Sequence, residues 1–102
     1  MDDRSQKIAD AYCRGVAARL KRNPNVVLAK ARENLDRMRP HCHPELVGRW
    51  ERALARPVDR IAVLLTSPRG AGLRRNHPFA GVLSEAERRR ILQGVRLEAS
   101  GA

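Results

Sequence analysis

Apolar residues recur along most of this chain with the period of a helix. Ile8, Tyr12, Val16 and Leu20 follow one another every four residues, with Ala9 and Ala11 beside them, which predicts a first helix over residues 5–22. Asn23-Pro24 restarts the chain, since Asn is a favoured N-cap and Pro a favoured first helical residue. Val27, Leu28, Ala31, Leu35 and Met38 give a second helix its apolar stripe, and Pro40 ends it. A third helix is predicted over residues 44–56, with Leu46, Val47, Trp50, Ala53 and Leu54 on one side. A fourth is predicted over residues 57–66, carrying Val58, Ile61, Ala62, Leu64 and Leu65. Ser67-Pro68-Arg69-Gly70-Ala71-Gly72 is rich in turn formers and reads as loose chain. Ser84-Glu85-Ala86-Glu87 is a capping box that opens a last helix with Ile91, Leu92 and Val95 on its stripe.

The expected fold is therefore all-α, a compact bundle of about five helices with short loops. A chain of 102 residues has too little apolar surface for two cores, which predicts a single helical domain over residues 1–97 and a frayed tail over 98–102. Tyr12, Trp50 and Phe79 are the only aromatics, so the core must be built from Leu, Val, Ile and Ala. Trp50 lies on the stripe of the third helix and reads as an anchor between helices rather than a platform for a nucleobase.

Charge changes this picture less than its size suggests. The net charge is +10, and 18 of the 21 basic residues are Arg. Residues 1–40 carry ten basic and five acidic side chains, and residues 41–102 carry eleven and six, so no basic arm stands out. Arg19, Lys21 and Arg22 fall in the last turn of the first helix, where cations favour the helix dipole. Glu33 with Arg37 and Arg32 with Asp36 are spaced as pairs on a solvated face. No run approaches the roughly 20 apolar residues that cross a bilayer. Residues 1–5 have neither the basic start nor the apolar stretch of a signal peptide. The expectation is a cytoplasmic protein without membrane association, with Cys13 and Cys42 as thiols.

Candidate chemistry is sparse. His41-Cys42-His43 are adjacent, whereas tetrahedral metal motifs space their ligands; the segment reads as an inter-helix loop in which His43 caps the next helix. No nucleophile, base and orienting group stand in a recognisable constellation, and the carboxylates sit beside arginines. The chain is thus expected to be no enzyme and to use no metal or cofactor. A basic nucleic-acid-associated or transcriptional accessory protein is the alternative. The fourth helix is nevertheless too apolar to read bases, and aromatic stacking platforms are few.

What remains is protein recognition. Between Leu64 and Ser84 there are three arginines, Arg69, Arg74 and Arg75, and no acid. They lead into Asn76-His77-Pro78-Phe79-Ala80-Gly81. Arg69, Arg74, Arg75, Asn76 and His77 are the expected outward contacts. Phe79 reads equally as a plug in the chain's own core and as an anchor for a partner.

One ordered set of residues resembles small helical antitoxin-like proteins of actinobacterial toxin–antitoxin pairs, including partners of nucleotidyltransferase-type toxins. It comprises Ala31-Arg32-Glu33-Asn34-Leu35, Trp50-Glu51, Leu64-Leu65, Leu73-Arg74, Pro78-Phe79-Ala80-Gly81-Val82-Leu83-Ser84, Glu87-Arg88 and Ile91-Leu92. The likeness runs from Ile8 to Leu92. Its sharpest element is an Arg-x-x-x-Pro-Phe-Ala-Gly-x-Leu-Ser box, with Arg74 as its Arg and His77 where that pattern more often has a small hydroxyl residue. The resemblance implies binding and neutralisation of a cognate toxin encoded nearby, by occlusion rather than substrate mimicry. Arginines would then meet toxin carboxylates, which the guanidinium fork does well.

Overall fold

The first helix, α1 (Asp3–Arg22), is the centre of the structure, a computed structural model that describes residues 3–100. Its period-four stripe turns Tyr12, Cys13, Val16, Ala17 and Leu20 inward. Around it pack α2 (Pro24–Met38), α4 (Val58–Thr66), the single turn α5 (Ala71–Arg74) and α6 (Glu85–Ser100), while α3 (Pro44–Leu54) packs on α2 and α4. No strand occurs among the described residues. The protein is all-α, and its radius of gyration of 13.5 Å suits one compact unit of this length. No helix among the described residues is long and apolar enough to cross a membrane.

Most helix starts follow the local chemistry of the sequence. His43 Nδ1 accepts the Glu45 N–H at 3.1 Å at the head of α3. The capping box of α6 is complete: the Glu87 N–H donates to Ser84 Oγ at 3.1 Å and the Ser84 N–H to Glu87 Oε1 at 2.9 Å. Glu87 also receives Arg19 at 2.9 Å, tying α6 to α1. At α2 the restart is set by Pro24 at its first turn, because the Asn23 side chain makes no capping bond. Of the charge pairs, Arg37 meets Glu33 at 2.7 Å, whereas Asp36 turns to Arg39 at 3.0 Å rather than to Arg32.

One segment is more ordered than its composition suggests. The stretch expected to be loose folds into a 3₁₀ turn (Pro68–Gly70) and then α5, a sixth helix where about five were expected. Gly70 makes this possible, since a Cβ there would collide with the carbonyl oxygen of Leu64. The tail expected to fray from Glu98 is helical as far as Ser100. Residues 1–2 and 101–102, part of the N-terminal and tail expectations, lie outside the described residues.

The core is completed by Trp50 and Phe79, both fully buried, their rings edge-to-face at 5.4 Å. Trp50 is thus the inter-helix anchor its position implied. Cys13 and Cys42 are free thiols, and burial pushes the Cys13 thiol up to about 12, which keeps it protonated and unreactive at neutral pH.

A basic-rimmed apolar groove as the candidate functional site

The segment from Asn76 to Gly81 has no helix or strand of its own, so its backbone groups need partners from elsewhere. Three helices supply them. The Trp50 indole N–H of α3 donates to the Asn76 carbonyl at 2.8 Å. The Asn34 amide of α2 donates to the carbonyls of Pro78 and Ala80 at 3.0 and 2.8 Å. The Tyr12 hydroxyl of α1 donates to the Phe79 carbonyl at 2.7 Å and accepts the Leu83 N–H at 3.4 Å. Gly81 closes the turn at φ 79°, a conformation that favours glycine. Asn34→Asp replaces a two-proton donor with a carboxylate facing two carbonyls. It is expected to lower stability by about 3 kcal/mol in urea unfolding, as removal of buried donors does. A loss under about 1 kcal/mol would show that the amide is dispensable to the loop.

Arg74 is internal as well. Only 4% of it is exposed. Its Nε donates to Asp10 Oδ1 at 2.8 Å, and its Nη1 donates to the carbonyls of Leu64 and Ser67 at 3.0 and 2.6 Å. One guanidinium thereby closes the end of α4, holds the 3₁₀ turn, and joins both to α1.

The residues singled out in the sequence therefore divide. Arg74 and Phe79 are inside the protein, so neither is an outward contact: Arg74 is claimed by Asp10 and two carbonyls, and Phe79 plugs the core against Trp50. Arg69, Arg75 and Asn76 are exposed. His77 is between the two, stacked on Tyr12 with ring centroids 5.2 Å apart and planes 11° from parallel. Its Nδ1 accepts the Phe79 N–H at 3.1 Å.

Arg75 and His77 meet at a groove of about 420 Å³ between α1, α6 and the 75–81 loop. Ile8 and Tyr12 of α1 and Ile91 and Leu92 of α6 form its apolar floor, with Arg75 on one wall and Arg88 on another. None of the described residues lining it is acidic. Two other hollows, of about 290 and 330 Å³, each carry a charge pair on their lining, Arg39 with Glu51 in the first and Arg74 with Asp10 in the second. Sequence reading missed the groove because Ile8, Tyr12, Ile91 and Leu92 carry the same signal as any core stripe. Arg69 does not line it.

The groove's titratable wall has a pH signature. Burial holds the His77 imidazole below its ordinary 6.5, and neutral Nδ1 is the form that accepts the Phe79 N–H. As pH falls below about 6.5 the unfolded chain takes up a proton that folded His77 resists, so stability declines until the folded form is also protonated. Burial raises the Asp10 carboxyl, but hydrogen bonds from Arg74 and Gln6 outweigh it and leave Asp10 below its ordinary 3.8. Its contribution is present above 3.8 and fades as pH falls through the lowered value, giving a second decline. In urea titrations at stepped pH, His77→Asn is expected to abolish the first decline and spare the second, because its Oδ1 keeps an acceptor for Phe79. An unchanged first decline in that variant assigns it to another group.

Among the described residues no three His, Cys, Asp or Glu side chains gather as a metal site. The class these features define is a small helical scaffold carrying a preformed, apolar, arginine-rimmed groove. Comparison with protein-family models, with curated proteins and with solved structures finds no match to this chain.

Proposed function

We propose that this chain is a partner-binding module, an antitoxin-like protein that docks on a cognate toxin and neutralises it by occlusion. The observation that carries this reading is the groove: an apolar floor, two arginines on its walls, and a loop wall fixed by side chains from three helices. A surface held this rigidly loses little conformational freedom on association, which favours affinity. Three groups that could serve catalysis are engaged structurally. Cys13 is buried and protonated, His43 caps α3, and His77 stacks in the loop wall. A cytoplasmic, non-enzymatic role without metal or cofactor follows from the same reading.

The test is co-expression with the product of the adjacent open reading frame. A one-to-one complex that survives gel filtration, together with relief of growth arrest, is the expected result. Absence of both sinks the reading. Binding to DNA or RNA that weakens steeply with added salt would put a nucleic-acid-associated role in its place.

A further inference from the structure

Resting on the partner-binding reading, we infer that the groove takes an acidic amphipathic helix of the partner, with apolar side chains on the floor and carboxylates against Arg75 and Arg88. Among the described residues the fold lacks the sheet edge that one common way of holding a peptide requires. An extended segment gains affinity by adding to a sheet edge, and the described residues offer no strand to add to; a helix laid in a groove needs only side-chain anchors at helical spacing. The floor between α1 and α6 offers such anchorage through Ile8, Ile91 and Leu92.

Charge selects the sign of the partner. Arg75 Nε donates to Gln6 Oε1 at 2.7 Å, which aims the guanidinium while leaving its two terminal nitrogens without a partner among the described residues. Arg88 stands on the α6 wall, and the nearby Glu87 is already held by Arg19 and Ser84. Two guanidinium groups thus border an apolar floor that no described acid lines. Arg forks bind carboxylates bidentately, so Asp or Glu flanking an apolar anchor is the complementary chemistry. A second copy of this chain is the wrong occupant, since a net charge of +10 would set arginine against arginine. A nucleic acid fits no better: Tyr12 is the only aromatic of the three in the groove, and His77 already covers its face.

Panning a random peptide library against the intact chain tests this directly. The expected winners carry Leu, Ile, Phe or Trp at helical spacing with Asp or Glu beside them. A synthetic winner, followed by fluorescence anisotropy, should bind the Arg75→Glu/Arg88→Glu chain at least about tenfold more weakly. It should bind Ile91→Lys about thirtyfold more weakly, as loss of a central anchor does. Both arginines are exposed, so their variant is expected to fold, as its thermal melt will check, and it keeps the test decisive if Ile91→Lys fails to fold. Enrichment of basic peptides, no enrichment, or winners indifferent to the arginine variant would overturn the inference. If the adjacent gene's product forms its complex undisturbed by the arginine variant, the groove inference falls and the partner-binding reading stands. If acidic peptides bind the groove but that product does not, the antitoxin reading falls and the groove stands.

Discussion

Arg74→Ala is expected to lower the unfolding free energy by about 3–5 kcal/mol, the range found when one partner of a buried ion pair is removed. Three acceptors each lose one donor: Asp10, which keeps Gln6 Nε2, the Ser67 carbonyl, which keeps the Gly70 N–H, and the Leu64 carbonyl. The Asp10 side chain is 28% exposed, so water recovers part of its solvation. A domain of this size has about 5–15 kcal/mol in total, so the variant should melt well below the parent in a thermal scan. Arg74→Lys separates charge from geometry. A single ammonium can keep Asp10 company but does not span Asp10 and two carbonyls as the fork does, so it should restore less than half of the loss. Full rescue by lysine would mean that charge alone matters at this position.

The second large effect is at Phe79. Phe79→Ala removes a fully buried ring from the edge-to-face contact with Trp50 and leaves a cavity among Trp50, His77 and the loop, for an expected loss of about 3–5 kcal/mol. Phe79→Leu refills most of that space and should lose about 1–2 kcal/mol. Trp50 reports both variants, since its fluorescence depends on this environment. For each variant, the affinity of the molecules that remain folded should match the parent, because neither Arg74 nor Phe79 lines the groove. A folded Phe79→Ala protein that had lost partner binding would place Phe79 back among the contacts.

These two residues also mark where the sequence stopped being legible. Helix periods, the His43 cap and the Ser84-Glu87 box are local, and each is written in residues no more than four apart. The all-α bundle could therefore be read directly. The fate of Arg74 depends on Asp10, 64 residues away, and on carbonyls whose exposure only the assembled bundle decides. An arginine in an acid-free stretch looks unpaired until the fold brings it an acid. Asn34 did leave a trace, as an amide set into the apolar stripe of α2 between Ala31 and Leu35, where a buried polar group must have partners. The groove left none, because a stripe that lines a cleft and a stripe that fills a core have the same periodicity.

The clamped loop has a consequence for how the protein assembles. Its helix anchors come from 26 residues away at Trp50, 44 at Asn34 and 67 at Tyr12, so local bonds such as that from the Phe79 N–H to His77 Nδ1 do not fix the wall by themselves. Contacts of such high sequence separation carry a large loop-closure entropy and are slow to form. The wall thus comes into being only when α1, α2 and α3 are already in place, and it is lost when any of them departs. In hydrogen exchange the Phe79 and Leu83 amides, both held within this wall, should open only with global unfolding rather than by local fraying. A partner that binds here would then recognise completed chains alone, and a half-folded or truncated copy would present it with no surface at all.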